Sequence, residues 1–310
     1  MKILFFGAGA IGSLFGGLLA AHEDVWLISR KELFAAIESN GLLVISEGRK
    51  LRTYPKASVN IPSNHEFDCI VVTTKAFDLK NALLDIQKAN LNGIPIVILQ
   101  NGYGNEDLAK KILPNSLIMR AITTEGASCP ATGQVMRAGV GRTFLGSLGP
   151  SEIQETFSRR LAKVFSASGL PAIATDEINS WVWAKLLINA AINPICALVN
   201  CSNGHILENP ILLELSRKLV RELLELTNAL QLKLPFENLQ TEVERVIQET
   251  RDNRCSMLQD IMAGRPTEIE FLNGAVSILA KIHELSAPVN DMLTKLILGR
   301  QRTHLVKASL

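Results

Sequence analysis

The sequence lacks the residue spacings that mark metal sites and disulfide frameworks. Its five cysteines include no CxxC pair, and its five histidines include no HxxxH or HExxH arrangement, so we expect no metal ion and reduced thiols. It also lacks an excess of either charge, with 32 basic and 30 acidic residues. That balance gives no general attraction to nucleic acid or to an anionic membrane. We expect a cytoplasmic protein with neither as a partner.

Uninterrupted runs typical of membrane spans and export signals are missing as well. Met1–Ala21 is apolar, but it carries five glycines at ordered spacing, which suit a turn better than the core of a signal peptide. Leu186–Ile206 has no formal charge, but it holds four asparagines, whose amides would be costly in hydrocarbon. We expect neither segment to enter a membrane.

The first 30 residues contain a strand, a glycine turn, a helix and a second strand. Lys2–Phe6 and Val25–Ile28 are apolar runs of strand length, and Gly7–Gly12 follows the first with GxGxxG spacing. This order is the context that a dinucleotide-binding fingerprint requires. A purely structural glycine turn in another α/β fold is the alternative.

Each glycine of the turn has a physical task in that interpretation. Gly7 permits the tight turn, Gly9 lets the backbone approach a pyrophosphate, and Gly12 allows the helix to pack close to the strand. The phosphates then lie at the positive end of the helix that begins near Ala10. The expected cofactor-binding residues of the turn are Gly7, Ala8, Gly9, Ala10, Ile11 and Gly12.

The end of the second strand predicts the cofactor. NAD-specific sites usually have an acidic residue there, which binds the ribose hydroxyls. This chain has Arg30 and Lys31 instead, which suit the 2′-phosphate of NADP, and Arg30 can also stack on adenine. Glu32 is an NAD-type acid, but it falls past the strand, and the cations could also be ordinary solvated charge. We expect NADPH.

Further strands are predicted where apolar runs end in polar residues. Lys75 follows the run Cys69–Thr73, and Asn101 follows the run Ile96–Leu99. Because the carboxyl ends of parallel strands line the binding crevice, both side chains are expected beside cofactor and substrate. Leu117–Thr124 and a strand from Thr143 to Gly146 complete this half, with Gly139, Gly141 and Gly146 marking turns.

The second half is predicted to be helical. At 310 residues the chain is too long for one core, so two domains are expected. We place a Rossmann-type α/β domain at residues 1–176 and an all-helical domain at 177–310, with Asp176 capping the first helix. Amphipathic stretches follow at Leu213–Leu232, Leu239–Thr250 and Glu268–Leu285. Pro266 is expected to begin the last helix, which places Glu268 in its first turn. The charged segment Arg300–His304 is interpreted as a solvated tail.

One helix of this half carries an unusual row of polar residues. Lys185, Asn189 and Asn193 recur every fourth position and share one face. A lysine and two amides in an apolar segment need partners if they are buried. Pro194 is expected to end or kink the helix. The open alternative is an exposed lysine with asparagines that cap turns.

In these residues the chain resembles the ketopantoate reductase (2-dehydropantoate 2-reductase) family, and the resemblance spans nearly the whole sequence. The order of the blocks is more specific than the glycine turn alone. The matching blocks are Gly7–Gly12, Thr74-Lys75, Leu99–Gly102, Lys185–Asn189, Asn193-Pro194, Asn203-Gly204, Ser256–Asp260, Thr267–Glu270 and Asn273-Gly274.

The resemblance implies NADPH-dependent reduction of 2-dehydropantoate to (R)-pantoate, a step toward pantothenate and coenzyme A. It implies a helical domain of the 6-phosphogluconate dehydrogenase C-terminal type, and the family includes homodimers. Lys185 is implied as the general acid, and Glu268 as the acid that contacts cofactor or substrate at the domain cleft. Glu125 stands where some relatives have a less charged residue. The implied substrate residues are Asn101, Asn189, Asn193, Asn203 and Ser256, and the implied cofactor residues are Arg30, Lys75, Asn101, Ala127 and Glu268.

Two other functions remain open at this point. The first is an NADPH-dependent reductase of another branched 2-oxo acid on the same fold. The second is a non-catalytic NADP-binding regulator, which would need the glycine turn but neither the polar row nor Glu268.

Overall fold

A computed structural model describes residues 1–63 and 65–308. Contacts within the chain divide it into two compact units. The first comprises Met1–Gln100 and Gly104–Asn179, and the second comprises Asn101–Tyr103 and Ser180–Leu310. The second unit therefore takes a three-residue stretch from within the first half of the sequence. Each unit has its own hydrophobic core. The boundary between residues 176 and 177 stays a prediction.

An eight-stranded sheet forms the frame of the first unit, with strand order β12-β11-β8-β7-β6-β1-β2-β5. From β8 to β5 every neighbouring pair is parallel, and β11 pairs antiparallel with β8. The order reverses at β1, because β2 lies on one side of it and β6 on the other. The strands are β1 (Lys2–Phe6), β2 (Asp24–Ile28), β5 (Lys56–Ser58), β6 (Cys69–Val72), β7 (Ile96–Ile98), β8 (Ile118–Thr123), β11 (Thr143–Ser147) and β12 (Ala172–Ala174).

A smaller sheet of the first unit is a feature that the sequence analysis missed. Its order is β4-β3-β10-β9, with β3 parallel to β10 and antiparallel to β4. The first helix packs between the two sheets, since a Cβ at Gly16 would lie 2.4 Å from Leu27 of the large sheet and one at Gly17 would lie 2.6 Å from Val44 of the small one. The strands are β3 (Leu42–Ser46), β4 (Arg49–Thr53), β9 (Gly126–Ala131) and β10 (Gln134–Gly139).

The helices of the first unit connect the strands of the large sheet, except that α2 leads from β2 to β3 of the small sheet. Asp or Ser residues before a helix commonly cap it, and Ser151 does so here by accepting a hydrogen bond from the Gln154 N–H. The helices are α1 (Ala10–Leu19), α2 (Lys31–Asn40), α3 (Leu79–Lys88), α4 (Asn105–Ile112) and α5 (Glu152–Ala167), with a 3₁₀ turn at Ala76–Asp78. With the parallel strands, they give the Rossmann-type α/β fold expected from the sequence.

The second unit is helical, and its described residues contain no strand. Its core is formed by apolar faces of all the long helices, with Leu187, Leu219, Val243 and Ile297 fully buried. The helices are α6 (Ile178–Val199), α7 (His205–Glu208), α8 (Pro210–Ala229), α9 (Leu239–Glu249), α10 (Ser256–Met262), α11 (Asn273–Ile282) and α12 (Pro288–Ala308), with a 3₁₀ turn at Ile269–Phe271.

Helix α6 is the one described helix long and apolar enough to cross a membrane by length and composition. Of the residues in its most apolar window, 67% are buried inside the structure, as in the core helix of a globular domain. Its carboxyl end is capped by Arg300, whose Nη1 donates to the carbonyl oxygens of Ala197 and Leu198 at 2.6 Å. The interpretation of Arg300 as part of a solvated tail was therefore wrong.

Of the two effects expected of Pro194, an end or a kink, the first is excluded, because α6 continues to Val199. Three other local predictions were wrong for identifiable reasons. Gly146 marks no turn but lies inside β11, where a Cβ would meet the Thr175 carbonyl oxygen at 2.3 Å. Asp176 lies two residues before α6, and the Glu177 N–H there donates to the Thr175 hydroxyl. Pro266 begins no helix, because the next element is the 3₁₀ turn that starts after Glu268.

Candidate active site

The glycine turn lies at the point where the strand order of the large sheet reverses. Gly7 follows β1 and has a φ of +112°, and a Cβ there would lie 2.6 Å from the Thr74 nitrogen at the end of β6. A Cβ at Gly12 would lie 2.2 Å from the Gly7 oxygen. Ligands of open α/β sheets bind at such a reversal, outside the carboxyl ends of the strands. The close approaches explain why glycine occupies both positions.

Gly9 differs from the other two glycines. It is exposed and precedes α1, and a Cβ there would meet nothing within 4 Å among the described residues. No described side chain caps the helix N-terminus. The backbone N–H groups of the first turn can thus bind phosphate oxygens at the positive end of the helix dipole. The turn fits the pyrophosphate of a dinucleotide.

Two residues that the sequence analysis did not assign hold the backbone of this turn and of the neighbouring strand end by hydrogen bonds. Thr73 Oγ1 donates to the Gly7 oxygen at 2.7 Å. Gln100 Nε2 donates to the carbonyl oxygens of Thr74 at 2.8 Å and of Lys75 at 3.1 Å. They cross-link the ends of β1, β6 and β7 and fix the backbone that carries Lys75. Only their position after strand ends could have signalled this role.

The cations expected to select the cofactor lie at the start of α2. Arg30 is the residue before the helix and Lys31 is its first residue, and both are exposed. Glu32 is exposed within the helix, past the strand. The end of β2 therefore presents positive charge to solvent, which suits a phosphate group rather than ribose hydroxyls.

Ala127 lies on β9 in the small sheet, paired in register with Arg137 of β10. The neighbouring Glu125 is buried, and it accepts a bidentate ion pair from Arg137, with Nε to Oε2 at 2.7 Å. Arg137 also donates to the Gly169 oxygen at 3.1 Å. The charge of Glu125 is thus neutralised within the first unit.

The second unit carries the polar row on α6. Lys185 and Asn189 are half-buried, and Asn193 is 6% exposed. Four residues of α-helix rise about 6 Å, so the three side chains follow one another along one face. The row is an amine and two amides within a helix whose other faces are apolar. That arrangement can bind the oxygens of a small polar ligand while excluding most water.

Asn101 and Glu268, far apart in sequence, are brought together in the second unit. Asn101 Nδ2 donates to Glu268 Oε2 at 3.3 Å, and Glu268 is 6% exposed. The stretch after Asn101 is docked on the 3₁₀ turn, because the Tyr103 N–H donates to the Phe271 oxygen at 3.1 Å. Gly102 allows this contact, since a Cβ there would lie 2.7 Å from the Cβ of Phe271.

The amide of Asn203 has a fixed orientation. Its Nδ2 donates to Thr250 Oγ1 at 2.9 Å, and that hydroxyl donates its single proton to the Val246 oxygen at 2.7 Å. The hydroxyl can therefore only accept from Asn203. Asn203 Oδ1 has no hydrogen-bond partner among the described residues. Ser256, also expected in the site, is exposed at the start of α10.

Two buried cysteines lie near each other at the carboxyl half of α6, Cys196 within the helix and Cys255 outside it. Cys255 precedes α10, and its Sγ donates to the Asn193 oxygen at 3.5 Å. The pKa of Cys196 is raised, first by its hydrogen bond with Cys255 and then by burial. Burial also raises the pKa of Cys69, to about 12. Cys69 and Cys196 are therefore packing groups held protonated, as expected for buried cysteines, whereas the hydrogen bond with Cys196 lowers the pKa of Cys255.

A Rossmann-type domain with a glycine turn that fits a pyrophosphate, followed by a helical domain with a lysine–amide row, is typical of an NAD(P)-type oxidoreductase. The family model described as "Ketopantoate reductase PanE/ApbA" matches residues 3–150, and its C-terminal counterpart matches residues 177–301. The chain belongs to the ketopantoate reductase family.

Individual relatives agree with this placement. The chain is 38% identical to the 2-dehydropantoate 2-reductase of Pyrococcus abyssi, over 97% of this chain and 98% of the relative. Among solved structures, a PanE/ApbA family ketopantoate reductase from Ralstonia eutropha JMP134 matches with a TM-score of 0.90 and 25% identity, over 98% and 100% of the two chains. A D-mandelate dehydrogenase solved with NADH and anilino(oxo)acetate matches with a TM-score of 0.90 and 28% identity, over 98% and 99%.

Proposed function

We propose that the chain catalyses the NADPH-dependent reduction of 2-dehydropantoate to (R)-pantoate, in pantothenate and coenzyme A biosynthesis. The observation that carries the proposal is the row of Lys185, Asn189 and Asn193 on the face of a largely buried helix. The similarity to the 2-dehydropantoate 2-reductase of Pyrococcus abyssi supports the choice of substrate. Lys185 is the general acid in this proposal.

NADPH, when bound, supplies a hydride to the ketone carbon of the substrate. Negative charge grows on the ketone oxygen during this reduction, and the Lys185 ammonium stabilises it and donates the proton. Asn189 and Asn193 bind the carboxylate and hydroxyl groups without competing for that proton, because an amide does not titrate. Since α6 is largely apolar and buried, the electrostatic interaction between the Lys185 ammonium and the ketone oxygen is stronger than it would be in water.

The remaining site residues have supporting roles in the proposal. Glu268, held by Asn101, accepts a hydrogen bond from a hydroxyl of substrate or cofactor. Asn203 offers an acceptor, since its amide nitrogen is engaged by Thr250, and Ser256 adds a hydroxyl. On the cofactor side we assign the glycine turn to the pyrophosphate, Arg30 to the 2′-phosphate, and Lys75, Asn101, Ala127 and Glu268 to the nicotinamide half.

The proposed function is tested by following NADPH oxidation with 2-dehydropantoate and, separately, with 2-ketoisovalerate. A pocket lined by amides should reject the analogue that lacks the 4-hydroxyl, because buried polar groups are then left without partners. We expect kcat/KM to favour 2-dehydropantoate by at least about 100-fold. Equal values for the two acids would contradict the assignment of this substrate.

A second candidate is the reduction of another 2-oxo acid on the same fold. It is favoured by the structural similarity to D-mandelate dehydrogenase, which was solved with NADH and an aromatic oxo acid analogue. A panel that adds phenylglyoxylate to the two acids above separates the candidates. A non-catalytic NADP-binding regulator is the third, and it would bind NADPH tightly and oxidise it with none of the acids.

Cofactor preference gives a test of Arg30. In Arg30→Ala the KM for NADPH should rise about 10- to 100-fold, since a hydrogen bond to a charged group contributes about 1.5–3 kcal/mol. The KM for NADH should change little, because it has no 2′-phosphate. Lys80→Ala removes an exposed cation elsewhere in the same unit and serves as the control. An equal loss for both cofactors would contradict the role of Arg30.

Three further points belong to the proposal. We place the boundary between the cofactor-binding and substrate-binding domains between residues 176 and 177. We place the reaction in the cytoplasm, a location that free thiols at all five cysteines support. We also infer a small 2-oxo acid as the substrate, neither nucleic acid nor membrane as a partner, and a homodimer, which light scattering coupled to size-exclusion chromatography would check.

A further inference from the structure

Pro194 leaves a gap in the hydrogen bonding of α6. Proline has no N–H, so the carbonyl of the residue four positions earlier, Ala190, has no donor from the helix backbone. Ala190 is fully buried, and water cannot replace that donor. A buried carbonyl without a partner destabilises the fold. The gap lies between Asn189 and Asn193, within the polar row.

Asn273 fills this gap from another helix. It is the first residue of α11 and is fully buried, and its Nδ2 donates to the Ala190 oxygen at 2.9 Å. The same nitrogen donates to Asn290 Oδ1 at 2.9 Å. Both amide protons of Asn273 are therefore engaged, which fixes the orientation of its side chain.

The network continues to a carboxylate that orders the start of α12. Asn290 Nδ2 donates to Glu222 Oε2 at 2.7 Å. The N–H groups of Val289 and Asn290 also donate to Glu222, at 2.8 and 3.0 Å. Asn290 is held at both ends in this way, and Asn273 resists rotation because turning its amide would break both of its hydrogen bonds. Asn273 thus ties α6 to α8, α11 and α12.

We propose that Asn273 is a positioning residue for the reaction: by replacing the donor that Pro194 removes, it holds α6 in register between Lys185 and Asn193. Without this bond, the helix at the proline can bend or admit water, and the lysine and the two amides lose their alignment. The proposal rests on the proposed function, since it assumes that this row binds the 2-oxo acid. A displacement of about 1 Å in such a site can cost about 100-fold in rate.

The test is a double-mutant cycle between Asn273→Ala and Pro194→Ala. Asn273→Ala removes the donor, and we expect kcat/KM for the 2-oxo acid to fall about 10- to 100-fold, with the Kd for NADPH unchanged. Pro194→Ala restores a backbone N–H that can reach Ala190. In the Pro194→Ala background, Asn273→Ala should therefore change kcat/KM by less than about twofold, because the helix supplies the missing bond.

Ser216→Ala is the matched control. Ser216 Oγ donates to the Ala191 oxygen at 3.4 Å, one residue along the same helix, but residue 195 has an N–H to offer that carbonyl. We expect a lower melting temperature and an unchanged kcat/KM. If Asn273→Ala behaves like this control, with stability lowered and kcat/KM intact, the proposal is overturned.

The decisive comparison, between the double variant and Pro194→Ala, does not require Asn273→Ala to fold on its own. If Asn273→Ala is recovered only as aggregates, the double variant is compared with Pro194→Ala alone. A deficit of tenfold or more in the double variant would show that Asn273 acts other than through Ala190, and would overturn the proposal, whereas equal kcat/KM values support it. Failure of the proposed function is seen separately, as wild-type protein that reduces no 2-oxo acid.

Discussion

Replacing Lys185 with alanine will lower kcat by about 10² to 10⁴-fold, the usual contribution of a positioned proton donor. The ketone oxygen gains negative charge in the transition state, and the variant offers neither a nearby cation nor a proton to it. The Kd for NADPH, measured by fluorescence titration, should stay unchanged, because the glycine turn belongs to the first unit. Stopped-flow measurement of NADPH oxidation gives kcat directly.

A second variant separates the charge of Lys185 from its proton donation, and a third serves as a control. Lys185→Arg keeps a cation that does not deprotonate in proteins, so we expect it to restore only a small part of kcat. Lys218→Ala removes an exposed lysine on α8 whose partner is Glu214, and should leave kcat intact. Near-normal turnover in Lys185→Ala would contradict the assignment of Lys185 as the general acid, and with it the proposed mechanism.

The parts of the site that were predictable from the sequence depend on local rules. Gly7 was expected in a tight turn and Gly12 at a close approach of helix and strand. The structure has both features. The row on α6 follows from the helical period alone. The ends of β6 and β7 were predictable because apolar runs stop there, which placed Lys75 and Asn101 at strand ends.

The parts that were missed depend on tertiary structure. β4 has four exposed residues among its five, so an edge strand of the small sheet carries no apolar pattern. The bond from Asn273 to Ala190 spans 83 positions of sequence, and no local pattern predicts it. Proline is a common first residue of a helix, but here Pro266 lies in an irregular stretch before Glu268. The contact of Asn101 with Glu268 required the fold.

Gly7→Ala and Gly9→Ala should affect two different properties of the glycine turn. At Gly7 an alanine must adopt a φ of +112° with its Cβ 2.6 Å from the Thr74 nitrogen. Backbone strain and overpacking of this kind cost about 2–5 kcal/mol together, so we expect a large loss of unfolding free energy, measured by urea denaturation. Binding of NADPH is lost with the geometry of the turn.

At Gly9 an alanine meets no described atom within 4 Å, and its φ of −75° is ordinary for any residue. We expect the unfolding free energy to stay within about 0.5 kcal/mol of wild type. The methyl group would instead occupy the space that the pyrophosphate needs, and the Kd for NADPH should rise about 10- to 100-fold, equivalent to about 1.4–2.8 kcal/mol. Because Gly9→Ala is expected to keep the fold, a loss of affinity for NADPH in this variant would come from contact between the new methyl group and the cofactor. Wild-type affinity in Gly9→Ala would mean that the phosphates bind elsewhere, even if Gly7→Ala unfolds as expected.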